Sequence, residues 1–156
     1  IGTRLGAQAA TVRAICDAHD GVFATVGIHP HNAGERPAPD VAELLLEADH
    51  PKVIGIGESG LDYFYDKSPR NMQQAGFRAH IAAARESRLP LVIHARDADA
   101  DTAAILEEES GKGAFPFLLH CFSSGADLAR RAVALGGSIS FSGILTFPKS
   151  EENRRI

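Results

Sequence analysis

Cysteine is scarce in this chain of 156 residues, and long apolar runs are absent. Cys16 and Cys121 are too few for a disulfide framework at this length, so we expect reduced thiols. No segment approaches the roughly 18 consecutive apolar residues that indicate a membrane span. The first residues also lack the charged-then-apolar pattern of a signal peptide. These absences favour a cytoplasmic protein without membrane contact.

An excess of positive charge is also lacking, because 16 lysines and arginines stand against 20 aspartates and glutamates, for a formal net charge of −4. Proteins that hold nucleic acid through a broad basic face usually show the opposite sign. A substrate that carries phosphate would therefore be bound locally or through metal ions. Nothing in the composition indicates an obligate protein partner.

The chain has no initial methionine: it starts with "IGTRLGAQ" and stops at "KSEENRRI", where a helical pattern begins. We therefore expect a fragment of a longer protein. With 44% hydrophobic and 23% charged residues, its composition is that of an ordinary globular protein. No linker or low-complexity tract divides it, so we expect residues 1–156 to form a single domain.

Five apolar runs bounded by turn residues predict β-strands. The runs are Val22 to Ile28, Lys52 to Ile56, Leu91 to His94, Phe115 to His120 and Ser138 to Phe141. Helical periodicity marks the segments before or between them, which are Arg4 to His19, Asp40 to Ala48, Asn71 to Arg88, Asp99 to Glu109 and Ala126 to Leu135. This alternation predicts an α/β protein with a parallel sheet that is covered on both faces.

Two architectures share the pattern, an open doubly wound sheet and a closed (β/α)8 barrel of the TIM type. About five β/α units would complete the first. They would supply a little over half of the second, since such barrels typically have about 250 residues. Periodicity does not distinguish the two.

Gly55, Gly57 and Gly60 have the G-x-G-x-x-G spacing of a dinucleotide-binding turn. In that turn the helix opens directly on the glycines, because its first amide groups bind the pyrophosphate. Here the next helix signal waits until Ser68 and Pro69. The spacing alone is a weak signal, and it leaves a non-enzymatic nucleotide-binding domain as an alternative.

Titratable side chains stand at the ends of successive predicted strands. Glu58 ends "KVIGIGE", His94 ends "PLVIH", His120 ends "FPFLLH", and His29 and His31 follow "VFATVGI". Parallel strands end on one side of a sheet, where α/β proteins place their active sites. Two imidazoles and a carboxylate can hold a divalent ion such as Zn²⁺ and leave a position for water. Glu58, His94 and His120 therefore predict a metal site, whereas the helical or flanking His19, His50 and His80 are expected to be structural.

Five ordered motifs resemble those of the TatD family of metal-dependent deoxyribonucleases, and they span nearly the whole chain. They are "VGIHPH" (26–31), "IGESGLDY" (56–63), "LVIHARDA" (91–98), "LLHCFS" (118–123) and "ISFSGILTF" (139–147). The resemblance implies a (β/α)8 barrel of the amidohydrolase type, of which the first strand, with its His-x-His pair, and the C-terminal strands are missing here. It also implies one or two divalent metal ions, Mg²⁺, Mn²⁺ or Zn²⁺.

The resemblance further implies roles for particular residues. Glu58 would be the catalytic carboxylate that bridges two metals, with His94 and His120 in the shell of the second metal. His29, His31 and Arg96 would bind the substrate phosphate. Arg96 suits a rim salt bridge equally well. Asp62 is expected to support the loop after Glu58, and Cys121 to pack away from His120.

The implied reaction is hydrolysis of phosphodiester bonds in DNA, which is bound transiently and cleaved from a 3′ end of a single strand. Barrels of this type also support other hydrolyses. Hydrolysis of an amide, a lactone or an aminoacyl ester is therefore a second possibility.

Overall fold

A computed structural model describes residues 1–156 as alternating strands and helices. The strands are β1 (Ala24–Val26), β2 (Val53–Asp62), β3 (Leu91–Arg96), β4 (Phe117–Leu119) and β5 (Ser138–Ile139). The α-helices are α1 (Ala7–Ala18), α2 (Val41–Ala48), α3 (Arg70–Ser87), α4 (Asp99–Gly111), α5 (Ala126–Ala134) and α6 (Glu151–Arg154), and two 3₁₀ helices span Pro30–Glu35 and Gly143–Thr146. None of the helices has both the length and the apolar character needed to cross a bilayer.

The strand order decides between the two predicted architectures. All four strand pairs are parallel, and the five strands are neighbours in the order of the chain, β1-β2-β3-β4-β5. A doubly wound sheet reverses its strand order at a switch point, whereas a barrel adds each strand beside the last. The prediction of a barrel-type α/β fold is confirmed, with five of the strands of a (β/α)8 barrel present in these residues.

The core lies between the sheet and its covering helices, α3 above all. Leu91 and Ile93 on β3 and Phe77 and Ile81 on α3 are fully buried in one cluster of 23 apolar residues. On a strand, residues two apart share a face, which explains why Leu91 and Ile93 both point into this core. The core thus anchors β2 and β3, and these two strands carry candidate site residues described below.

Several predicted boundaries are wrong by a few residues. β2 continues to Asp62 rather than stopping at Ile56, so that Glu58 lies inside a strand. β4 ends at Leu119, which leaves His120 just beyond the strand. A 3₁₀ helix that the sequence pattern did not predict, Pro30–Glu35, follows His29.

The glycines of the G-x-G-x-x-G spacing serve close strand packing. Gly57 and Gly60 have φ angles of 118° and 136°, in a backbone region that residues with a side chain rarely adopt. A Cβ atom on Gly60 would lie 2.0 Å from the carbonyl oxygen of His94. The helix after these glycines begins only at Arg70, so no helix N-terminus stands where a pyrophosphate would bind. The glycines instead keep β2 tight against the part of β3 that carries His94.

Candidate metal centre

Three side chains from successive strand ends converge at the carboxyl-terminal rim. His29 follows β1, Glu58 lies in β2 and His94 lies in β3, and one potential ligand atom of each falls within 4.8 Å of the others. His94 Nδ1 is 3.4 Å from Glu58 Oε1, and the ring centroids of His29 and His94 are 4.7 Å apart. The sequence predicted Glu58 and His94 as ligands and His29 as a substrate-binding residue; the structure brings all three together.

A second group of potential ligands, His31, Asp62 and His94, shares His94 with the first. Asp62 is fully buried, and its Oδ2 atom is 2.8 Å from Nε2 of both His31 and His94. Its Oδ1 atom accepts a hydrogen bond from the backbone of Tyr65 at 2.8 Å, the loop support that we expected. Asp62 and Glu58 lie on the same strand, whose register with β3 shifts between Gly57 and Ser59, and their carboxylates face different ring nitrogens of His94.

Glu58 and His94 shift each other's pKa, because one carries negative and the other positive charge. Burial raises the pKa of Glu58, but the hydrogen bond from His94 and the neighbouring imidazoles outweigh it, so the net pKa lies below the ordinary value. Burial lowers the pKa of His94, but its bonds to Glu58 and Asp62 outweigh that effect and raise it. Glu58 is therefore an anion at neutral pH, the form that binds a cation.

His29 differs from His94 in its protonation. Burial, reinforced by the charge of His94, lowers the pKa of His29 to about 4. Its imidazole is therefore neutral at pH 7, and a neutral ring nitrogen is the form that binds a metal ion. His29 directly precedes the 3₁₀ helix Pro30–Glu35, and His31 lies within it. The ring centroids of the two histidines are 4.5 Å apart.

His120, the third predicted metal ligand, lies near this cluster but in neither group. Its charge contributes to the lowered pKa of Glu58. Its Nε2 atom is 3.4 Å from Sγ of Cys121, which is exposed and has a φ angle of 47°. The expectation that Cys121 packs away from His120 is wrong, because β4 stops before His120 and the strand alternation no longer applies.

The guanidinium of Arg96 lies at the rim two residues beyond His94. It stacks on aromatic rings, 4.1 Å from the centroid of Phe64 and 4.9 Å from that of Tyr65. No ion pair within the chain engages it, so the structure contains no rim salt bridge of the kind considered above. The N–H groups of Arg96 are available to an external acceptor.

Gln73 and Ser68 form hydrogen bonds to the backbone beside the candidate ligands, and the sequence did not indicate this role for either. Gln73 is buried; its side chain accepts from the backbone N–H of Asp62 at 2.8 Å and donates to the backbone oxygens of Asp62 and Ser68. The Ser68 hydroxyl donates to the carbonyl of His31 at 2.9 Å and accepts from the N–H of Gly34 at 2.9 Å. These bonds fix the backbones that carry Asp62 and His31.

His80 ties α3 to the end of β1 from within the core. Its Nε2 atom accepts a hydrogen bond from the backbone of Ile28 at 2.9 Å, and its Nδ1 donates to the carbonyl of Gly76 at 2.7 Å. Complete burial lowers the pKa of His80 to about 4. The ring is therefore neutral and holds the backbone directly before His29.

Acid is expected to weaken the fold through His80. The unfolded chain takes up a proton at His80 near pH 6.5 but the folded chain only near pH 4, so stability falls as pH falls through this interval. The loss at pH 4.5 relative to pH 7 should be about 2–3 kcal/mol from this residue. Urea unfolding of the wild type and His80→Gln at both pH values measures it. Equal pH dependence of the two proteins would contradict the assignment.

A model of the family of TatD-related DNases matches residues 1–156. An uncharacterised metal-dependent hydrolase of Bacillus subtilis, YabD, is 39% identical over 138 residues, which cover 88% of this chain and 54% of the relative. A protein of Pantoea vagans named 3′-5′ ssDNA/RNA exonuclease TatD is 36% identical over 121 residues, covering 78% of this chain and 46% of that protein. The chain thus spans about half the length of the curated relatives it matches.

Solved structures show the same relation. The crystal structure of YjjV, a TatD homologue from Escherichia coli K12, superimposes with a TM-score of 0.81 at 28% identity, over 94% of this chain and 56% of that one. The half-length coverage agrees with a sheet of five strands where a closed barrel has eight.

Proposed function

Because this chain belongs to the family of TatD-related DNases, we propose that the protein is a metal-dependent hydrolase that cleaves phosphodiester bonds of DNA, one nucleotide at a time from the 3′ end of a single strand. The observation that carries the proposal is the convergence of His29, Glu58 and His94 within 4.8 Å. The printed name of the Pantoea vagans relative supports the choice of substrate and direction.

The donor set fits a divalent ion. Two imidazoles and one carboxylate are the ligands found at catalytic Zn²⁺ sites, and imidazole nitrogens favour Zn²⁺ over Mg²⁺. His29, Glu58 and His94 would hold one ion. His31 and Asp62 are candidate ligands of a second, because a neutral imidazole such as His94 offers its lone pair to one ion only. His120 stays a predicted ligand. A divalent ion bound here would acidify a water molecule and draw charge from a phosphoryl oxygen.

The chain's own residues position the reactants. Glu58 supplies a negative charge at the centre, and Asp62 orients His94 through Nε2 so that Nδ1 faces Glu58. Arg96 lies against the ring of Phe64, and Lys67 lies against the ring of Tyr65. These two cations would bind the phosphates that flank the cleaved bond. A local pair of cations accounts for phosphate binding by a chain whose net charge is −4.

The alternatives are less well supported by the same residues. Hydrolysis of an amide, a lactone or an aminoacyl ester would use the metal but would give the unpaired Arg96 no anionic partner in the substrate. Nucleotide binding through Gly55, Gly57 and Gly60 would require a helix N-terminus that is not beside them. A phosphate-bearing polymer uses both the ligand cluster and the free guanidinium.

A substrate panel separates these functions. Protein expressed at the full length that its gene encodes is dialysed against EDTA and tested with and without restored Zn²⁺, Mn²⁺ or Mg²⁺. We expect a 5′-labelled DNA strand to shorten stepwise from its 3′ end only when metal is restored. Faster turnover of an aminoacyl ester or lactone than of DNA would overturn the proposed substrate, and nucleotide affinity without hydrolysis of any substrate would favour the non-enzymatic alternative.

A further inference from the structure

Two neighbouring aromatic side chains are exposed at the rim beside the candidate metal centre. Phe64 is 54% exposed and Tyr65 is 51% exposed, and their ring centroids lie 4.9 Å apart in an edge-to-face arrangement. Aromatic rings usually contribute large buried areas, so an exposed pair gains nothing for the core. Such a pair at the edge of a site is typical of a binding surface.

Cations lie against both rings. Arg96 stacks on Phe64 and Tyr65, as described above, and Lys67 Nζ is 5.5 Å from the Tyr65 centroid. Proteins that bind single-stranded nucleic acid combine these two elements, aromatic faces for the bases and cations for the backbone. The chemistry of the rim therefore fits a nucleotide better than a purely apolar ligand.

The aromatic pair is joined directly to the ligand cluster. The Tyr65 ring centroid is 5.4 Å from that of His31, and the Tyr65 backbone bonds Asp62. A cleft of about 920 Å³ is bordered by Phe64 and Arg96, and a second of about 870 Å³ contains His31 together with His29 and Glu58. A base stacked at the rim would place its own phosphate beside the cluster.

We propose that Phe64 and Tyr65 form a stacking platform for one unpaired nucleobase next to the cleaved bond, with Arg96 beside them to bind its phosphate. The proposal rests on the phosphodiesterase function proposed above. A base within a duplex is stacked and paired, so the platform selects single strands. It does so without preference for a particular base, because every base offers an aromatic face.

The experiment measures binding separately from cleavage. Dissociation constants of fluorescein-labelled DNA strands are measured by anisotropy in EDTA, and Michaelis constants for the same strands are measured with metal restored. One set of strands is intact; in the other an abasic residue replaces each of the last three nucleotides in turn. The variants are Phe64→Leu, which removes the aromatic face but stays apolar, and Phe23→Leu.

Phe23 is a matched control, because it is 51% exposed and lies under a cation, Lys52, 5.1 Å away. It directly precedes β1, at the end of the sheet opposite the rim. For intact strands we expect Phe64→Leu to raise the Michaelis or dissociation constant about tenfold, the scale of one lost base stack. For strands that are abasic at the stacked position it should have no further effect, and Phe23→Leu should match the wild type throughout.

An equal effect of Phe64→Leu on intact and abasic strands, or no effect on either, would overturn the platform. Base-dependent binding without hydrolysis would support the platform and overturn the nuclease function. Hydrolysis of DNA at a rate and affinity that do not depend on Phe64 would support the nuclease function and overturn the platform. The two proposals can therefore fail separately.

Discussion

Glu58→Gln is expected to lower the turnover of DNA by about a thousandfold or more, because it removes the only carboxylate of the first ligand group. Glutamine keeps the size of the side chain but carries no charge. A bound cation would therefore lose the negative charge that balances it at this site. Bound metal should fall together with the rate. Metal content after gel filtration and the initial rate of DNA hydrolysis measure both effects on one sample.

Glu107→Gln is the matched control for this substitution. Glu107 is exposed on α4 and pairs with Arg131 through two hydrogen bonds of 2.7 and 2.8 Å, far from any ligand group. An exposed ion pair contributes little to stability, so this variant should keep the metal content and rate of the wild type. A Glu58→Gln protein that retained full metal and full activity would remove the basis of the proposed centre.

Asp62→Asn is expected to weaken metal binding by about 10–100-fold. Asp62 Oδ2 accepts hydrogen bonds from two imidazoles at once, whereas an amide of the same shape carries no charge and has an NH2 donor in place of one acceptor oxygen. His31 and His94 would then be free to rotate or to change which ring nitrogen carries the proton. Competition with a fluorescent chelator gives the metal affinity, and nitrogen chemical shifts of the imidazoles report the protonated ring atom.

Asp101→Asn controls for the loss of a hydrogen-bonded aspartate near the same surface. Asp101 accepts from the Tyr63 hydroxyl at 2.7 Å and from Gln74 at 3.0 Å but touches no histidine of the cluster. Its substitution should leave the metal affinity and the imidazole shifts unchanged. If Asp62→Asn were equally silent, the buried carboxylate would have a purely structural role in the loop.

The alternation of strands and helices, and the convergence of Glu58 and His94 at one rim, could be predicted from the sequence. Parallel strands end on the same side, so titratable residues at predicted strand ends are expected to meet. The role of Asp62 was missed because Gly57 and Gly60 weaken the strand signal, and the strand was expected to stop before them. Once β2 extends to Asp62, its carboxylate and that of Glu58 both reach the ring of His94.

The supporting contacts could not be read in the same way. Gln73, Ser68 and His80 act through hydrogen bonds to backbone groups that are distant in the sequence, and only the packing of α3 against β1 and β2 brings these together. The sequence pattern around a polar residue does not indicate which distant backbone group it will bond. The position of His120 just beyond its strand has a related reason: β4 ends one residue earlier than the sequence predicts.

The most direct test of the central claim is a metal titration of the EDTA-dialysed protein in which bound metal and the initial rate of 3′-end hydrolysis are measured at every point. We predict no hydrolysis without metal and a rate that rises as the His29, Glu58 and His94 site fills. Hydrolysis by the metal-free protein, or a fully occupied site that leaves single-stranded DNA intact, would contradict it.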